Sequence, residues 1–327
     1  LRRTVYNRGA VALQARRDSI MMRRLLLYLS HAGWARNAVT RWGFARRAAR
    51  RFIAGETLDE AVGASRALNG KGLRVTLDCL GESVEHEDDT RAVVATYRAL
   101  IERIKAEGLD ASVSVKLTHL GLDIREALAV DNLRAILEAG RQHSVFVTID
   151  MESSAYTERT LAIFRAMRCD EGFGNVGAVI QSYLYRSAAD MERLAAEGAT
   201  VRLCKGAYLE PAAVAFPAKA DVDQSYAGIM AAYLQTPPPA VLQMATHDEK
   251  LIAQAEALIA EHQLPPDRYE FQMLYGIRSA RQEALAAAGH PVRVYVPFGS
   301  AWYPYFMRRL AERPANLQFF LKAAVQG

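Results

Sequence analysis

Apolar positions along this chain keep two different periods, and the switches between them lay out its architecture. Short runs rich in β-branched residues, bounded by turn residues, recur at 73–79, 112–118, 145–150, 177–183, 200–206, 241–247, 269–274 and 292–297. Between neighbouring runs lie ten or more residues of helical period, such as 88–107, with Gly108, Gly140, Gly198 and Gly289 as stop signals. A further helical run ends at Leu68, and the turn Asn69-Gly70-Lys71-Gly72 leads from it into the first strand. Alternating strand and helix predicts parallel pairing through right-handed crossovers. Eight such units in about 255 residues predict a closed α/β structure, a (β/α)8 TIM-like barrel with an N-terminal helical extension and a C-terminal helix.

An open doubly wound sheet is the competing architecture, because residues 172–178 spell GxGxxGA. A dinucleotide fingerprint of that form must follow a strand and open a helix. This copy follows a helix and opens a strand, so it reads as a loop.

Composition narrows the class. No unbroken apolar run of 18 residues occurs among the 327, which excludes a simple membrane-spanning helix. Cys79, Cys169 and Cys204 are widely spaced, as in a protein of a reducing, cytoplasmic compartment. The seven histidines form no HExxH or HxH pair, so no protein-ligated metal is expected.

Charge divides the chain in two. Residues 1–55 carry 13 arginines against Asp18 alone, a net +12, whereas the remainder has 28 basic and 35 acidic residues, a net −7. Met21, Met22, Leu25, Leu26 and Leu29, and then Trp34, Ala38, Trp42, Ala45 and Ala49, fall at helical spacing. The first 55 residues therefore read as a basic helical segment and 56–327 as the barrel domain. Peripheral contact with the inner face of a membrane and a helical cap with solvated arginines are both compatible with such a segment. Nucleic-acid binding is not expected, since no recognised motif accompanies the charge.

In a barrel, chemistry gathers at the carboxyl ends of the strands. Here these ends offer Asp78 and Glu82, Lys116, Asp150 and Glu152, Gln181 and Tyr183, Arg202 and Lys205, Thr246 and His247, Gln272, and Tyr295. After the last strand, Tyr305, Arg308, Arg309 and Glu312 fall at i, i+3, i+4 and i+7 of a helix whose other side carries Phe306, Met307 and Leu310. Two guanidiniums on one face suit an anionic ligand. A solvated helix with an Arg308–Glu312 pair, contributing only about 0.3–0.5 kcal/mol, is the alternative.

Eight segments in sequence order carry a family resemblance: DCLGE (78–82), VKL (115–117), IDMES (149–153), VIQSY (179–183), RLCKGAY (202–208), ATHD (245–248), YEFQML (269–274) and YxxRRxxExxAN (305–316). Together they resemble the motifs of the proline dehydrogenases, FAD-dependent barrel enzymes, from about residue 56 to 320. The resemblance implies L-proline as substrate, with its carboxylate held by Arg308, Arg309 and Lys116. It places Tyr295, Tyr305, Tyr208 and Leu203 around the proline ring, and pairs Glu82 with Arg308 as a gate. Asp150 would support both pocket and flavin, and Arg202 would sit near flavin N5. Gln181, Met151, Cys204, Lys205, Gly206 and Ala207 would surround the flavin, Gly206 by admitting close approach of the cofactor. Lys219, Thr246, His247, Gln272 and Glu312 would contact the rest of the FAD.

Leu209 departs from the family pattern, standing where many bifunctional relatives have tryptophan. The chain has no room for the aldehyde dehydrogenase domain of those relatives, so a monofunctional enzyme is expected. The implied reaction is hydride transfer from proline C5 to FAD N5, giving 1-pyrroline-5-carboxylate, with a membrane quinone as final acceptor. Two other classes remain open on the residues alone. One is a Schiff-base lyase using Lys116 or Lys205; the other is a noncatalytic protein binding membrane or nucleic acid through its arginine-rich segment.

Overall fold

The computed structural model describes residues 26, 28, 29 and 43–312. The chain divides into two compact units, one of residues 54–299 and the other of residues up to 53 together with those from 300.

The larger unit opens with a helix that its sequence caps closely. Thr57 accepts from the amide of Glu60 at 3.3 Å, and the Glu60 carboxylate accepts from the amides of Glu56 and Thr57 at 2.8 and 3.1 Å. This capping box starts the helix Leu58–Asn69. We number the helices in chain order: α1 (Gly43–Ala49) in the smaller unit, then α2 (Leu58–Asn69), α3 (Glu87–Ala106), α4 (Glu126–His143), α5 (Thr157–Arg165), α6 (Ser187–Ala196), α7 (Lys219–Leu234), α8 (Glu249–Glu261) and α9 (Ser279–Ala287). The strands are β1 (Arg74–Cys79), β2 (Ala111–Val115), β3 (Val147–Ile149), β4 (Val176–Gln181), β5 (Thr200–Cys204), β6 (Val241–Ala245), β7 (Tyr269–Leu274) and β8 (Val292–Phe298).

All eight strands pair in parallel, and β1 joins β8 to close the barrel in the order β1 to β8. Thr76 is registered with Ser112 on one side and with Tyr295 on the other. The eight expected strands are therefore present, most of them one to three residues shorter than the apolar runs. That difference leaves Lys116, Asp150, Lys205 and Thr246 just beyond the strand ends.

Alternation along the strands separates two environments. Val75, Leu77, Val113, Val201 and Leu242 belong to a fully buried apolar core, while the residues between them include Thr76, Ser112, Ser114 and Arg202, buried and polar. Barrel interiors are commonly filled by branched apolar residues; this one is filled largely by hydrogen-bonding groups.

Gly140 is not the helix stop that its sequence suggests. Helix α4 continues to His143 and is capped by Ser144 in the left-handed region, φ 59°. A Cβ on Gly140 would stand 2.7 Å from the Val145 carbonyl and 2.9 Å from Asn175 Nδ2, so the glycine serves close packing. The GxGxxGA segment is a loop running into β4, and Gly172 there has φ 70°.

In the smaller unit the last described helix is α10 (Trp302–Glu312). Phe306 packs against Phe52 and Trp302 at centroid distances of 6.3 and 5.9 Å, and the Tyr303 hydroxyl donates to the Leu29 carbonyl at 3.0 Å. Leu26, Tyr28 and Leu29 are helical. The rest of the expected helix at 21–29, residues 34–42 of the next, and the motif's end at Asn316 lie outside the described residues. No helix among the described residues is long and apolar enough to cross a membrane.

Candidate active site

Side chains from β1, β2, β5, β7 and β8 and from the end of β3 reach one another, which they can do only across the barrel lumen. Lys116 Nζ donates to both carboxylate oxygens of Asp78 at 3.0 Å and to Asp150 Oδ2 at 3.4 Å. Asp150 also accepts from Arg202 Nη1 at 2.6 Å and from the Tyr295 hydroxyl at 2.7 Å. Arg202 completes its fork with Nε to Gln272 Oε1 at 2.6 Å and Nη2 to Ser114 Oγ at 3.0 Å. The Arg202 guanidinium carbon lies 5.3 Å from the centre of the Tyr295 ring. Lys116, Asp150, Arg202, Tyr295 and Gln272, separate in sequence, thus form one lattice.

The charges in this lattice are fixed by mutual contact. Burial disfavours the Lys116 ammonium, but Asp78 and Asp150 outweigh it and raise its pKa above the ordinary lysine value. Burial, with the fields of Asp150 and Asp78, pushes Tyr295 well above the usual phenol value, so it donates as a neutral hydroxyl. Burial likewise pushes the thiols of Cys79 and Cys204 up to about 12, leaving neither as a thiolate nucleophile.

A second group lies at the ends of β5 and β6. Lys205 Nζ donates to Asp223 at 2.5 Å and to Asp248 at 2.8 Å; Lys219 donates to Asp223 and, at 3.4 Å, to Asp248. Lys219 is 74% exposed. Asp248 caps α8 by accepting from the Lys250 amide at 3.2 Å, and its own amide donates to Thr246 Oγ1 at 3.1 Å. His247 Nε2 accepts from the Leu274 amide at 3.0 Å, a contact that leaves the ring proton to Nδ1 when the imidazole is neutral.

A third group fixes the turn that carries Glu82. Buried Glu152 accepts from the Thr118 hydroxyl at 2.6 Å and from its amide at 3.1 Å, and Gln181 Nε2 donates to the Glu152 carbonyl at 2.7 Å. The Ser83 amide in turn donates to Thr118 Oγ1 at 3.1 Å. Gly81 lies against the His119 ring so closely that a Cβ there would overlap it. Met151 is buried beside Asp150.

Other expected residues are placed differently. Leu203 is fully buried in the apolar core, and strand alternation turns it away from Arg202. Gly206 has φ 114°, and a Cβ there would stand 2.5 Å from the Tyr183 ring; its close neighbour in this structure is that ring. Ala207 and Tyr208 are half-buried, and Leu209 is exposed. In the smaller unit, the Arg309 guanidinium lies 4.9 Å from the centre of the Tyr305 ring and both residues are buried, while Arg308 is half-buried. The face carrying the two arginines is therefore not a solvated one.

Sequence reasoning reached Asp78 only as a strand end and did not reach Ser114, Glu270 or Arg293. Strand alternation was the available signal for Ser114 and Arg293, since Ser114 shares a face with Lys116, and Arg293 with Tyr295.

A closed parallel barrel with a buried lattice of cations and carboxylates at the carboxyl ends of its strands is the frame of a (β/α)8-barrel enzyme. The sequence model of the family described as Proline dehydrogenase matches residues 61–322, and the chain belongs to that family. It is 44% identical over 306 residues to proline dehydrogenase 1 of Bacillus subtilis (strain 168), covering 94% of this chain and all of that one. It is 40% identical over 282 residues to the proline dehydrogenase of Deinococcus radiodurans, covering 85% of this chain and 90% of that one. Among solved structures, it resembles proline utilization A of Bdellovibrio bacteriovorus inactivated by N-propargylglycine, with TM-score 0.76 and 25% identity over 82% of this chain and 33% of that one.

Proposed function

We propose that this chain is an FAD-dependent L-proline dehydrogenase that converts proline to 1-pyrroline-5-carboxylate. When bound, FAD supplies the acceptor for the hydride from proline C5 and passes the electrons to a membrane quinone. The donor set fits such a group. Arg202 offers a buried cation whose field favours an electron-rich ring, and Lys205 with the exposed Lys219 offers two ammoniums suited to a diphosphate.

The protein's own part is binding and orientation. Arg308, Arg309 and Lys116 take the substrate carboxylate by the motif match, Tyr305, Tyr208 and Tyr295 surround the ring, and Glu82 gates entry. Gln181, Met151, Cys204, Gly206 and Ala207, with Thr246, His247, Gln272 and Glu312, are assigned to the cofactor. Residues 56–327 would perform catalysis and 1–55 would contact an anionic membrane surface, where the quinone resides.

The observation that carries this reading is the family match across the barrel motifs, joined to the state of Lys116. A lysine held as an ammonium by two buried carboxylates binds anions and is a poor Schiff-base nucleophile, which weighs against a lyase. The test is an absorption spectrum of the purified protein followed by anaerobic L-proline. A flavin spectrum that bleaches on addition is expected; a colourless protein, or a spectrum that proline leaves unmoved, rejects the proposal.

A further inference from the structure

Below the reacting end of the lumen lies a carboxylate that the reaction does not call for. Glu270 on β7 is 4% exposed. Its Oε1 accepts from Arg293 Nε and from Gln272 Nε2, each at 2.8 Å, and its Oε2 accepts from Arg74 Nη1 at 3.3 Å. Arg293 is itself anchored, donating to the Val75 carbonyl at 2.7 Å and to Ser112 Oγ at 3.2 Å. Burial opposes ionisation of Glu270, but Arg293 outweighs it and keeps the carboxyl below the ordinary glutamate range.

An ionised carboxylate can only accept hydrogen bonds. Gln272 must therefore turn its NH2 toward Glu270, which leaves its carbonyl as the acceptor for Arg202 Nε at 2.6 Å. An amide is otherwise free to present either end; here the acceptor-only Glu270 on one side and the donor-only Arg202 on the other fix the same orientation. The direction then propagates, since a guanidinium fixed at Nε presents Nη1 to Asp150 and Nη2 to Ser114.

We propose that Glu270 is a positioning residue for the redox site, anchoring Gln272 by its NH2 and through it the orientation of the Arg202 guanidinium. The inference rests on the reading of Arg202 as the cation beside the flavin. Arg293 and Gln272 share the one oxygen Oε1 of Glu270. Glu270→Gln can keep a carbonyl at that place, so both donors retain their acceptor and only the charge is lost. Glu270→Met removes the acceptor and leaves the Gln272 amide without its anchor on that side.

The test compares flavin-loaded full-length wild type, Glu270→Met, Glu270→Gln and Arg202→Met with and without Glu270→Met. Glu270→Met is expected to lower kcat about tenfold while KM for proline stays within twofold, and the conservative Glu270→Gln is expected to keep most of the wild-type kcat. The second readout is the flavin reduction potential. Removing the Glu270 charge also acts directly on the flavin, but that part persists without Arg202. A double-mutant cycle therefore isolates the part transmitted through the arginine. The shift caused by Glu270→Met should differ between the two backgrounds by at least threefold in the redox equilibrium constant, about 14 mV for a two-electron couple. Equal shifts in both backgrounds, or an unchanged kcat in Glu270→Met, overturn the inference while leaving the proline dehydrogenase reading intact. A wild type without flavin, or one that proline does not reduce, overturns both. If Glu270→Met fails to fold, Gln272→Met, which removes the link and keeps Glu270, decides: a loss of kcat of about tenfold with KM within twofold supports the proposal, and a wild-type-like kcat in a folded, flavin-loaded protein rejects it.

Discussion

At the scale of single residues, the site is governed by which charges have partners. Lys116 and Arg202 are locked by carboxylates in the larger unit. Arg308 and Arg309, placed by their spacing on one face of α10, are the arginines assigned to the proline carboxylate. Replacing either with methionine should raise KM for proline at least tenfold, the loss of a charge-assisted hydrogen bond of roughly 1.5–3 kcal/mol, while flavin stays bound. Steady-state kinetics unchanged in both variants would remove the two from the substrate site. His119 makes a different prediction. Burial, followed by the field of Lys116, lowers its pKa to about 4. The unfolded chain therefore binds a proton there at a higher pH than the native state does, and stability falls as pH drops from about 6.5 toward 4. The loss is on the order of 3 kcal/mol, and His119→Gln should flatten that part of the stability profile in urea titrations at stepped pH. An equally steep decline in the variant would assign it to other groups. Lys116 and Arg202 were legible from their places near strand ends. Asp78 as the partner of Lys116 was not, because the pairing depends on the stagger between β1 and β2, where Asp78 stands opposite Ser114 and Lys116 lies two residues further on.

At the scale of elements, hydrophobic period was a good guide to type and a poorer one to ends. Eight strands and the helices between them were legible because run length, β-branched content and flanking turn residues separate short buried strands from helices where period alone does not. Their limits depended on what a residue touches. A glycine inside α4 carries the usual stop signal, and only the approach of the Val145 carbonyl and Asn175 shows why the helix keeps it. Gly140→Ala gains about 1 kcal/mol of helix propensity but must place a methyl against that carbonyl. We expect a net destabilisation of about 1–3 kcal/mol, visible as a lower denaturant midpoint with unchanged m. An alanine variant more stable than wild type would show that the α4 to β3 connection yields easily. The GxGxxGA loop gives the converse lesson: the same letters have no dinucleotide-binding role when the elements around them come in the reverse order.

At the scale of the whole molecule, the division of charge is sharper than the division of structure. The first 55 residues hold a net +12 and the rest a net −7. An arginine-rich segment near anionic lipid gains about 1 kcal/mol per basic residue close to the surface. The protein should co-sediment with anionic vesicles, release as salt is raised, and lose this binding when residues 1–50 are deleted. Equal binding to neutral vesicles, or binding that survives the deletion, would reject an electrostatic membrane role.

The lumen lattice also constrains how the chain can vary over time. Each link from Arg293 through Glu270, Gln272 and Arg202 to Asp150 has a fixed donor and a fixed acceptor, and two of the donors meet on one oxygen of residue 270. Position 270 should then admit, across descendants of this sequence, only side chains that keep an acceptor at that meeting point, glutamate or glutamine, and should exclude apolar ones.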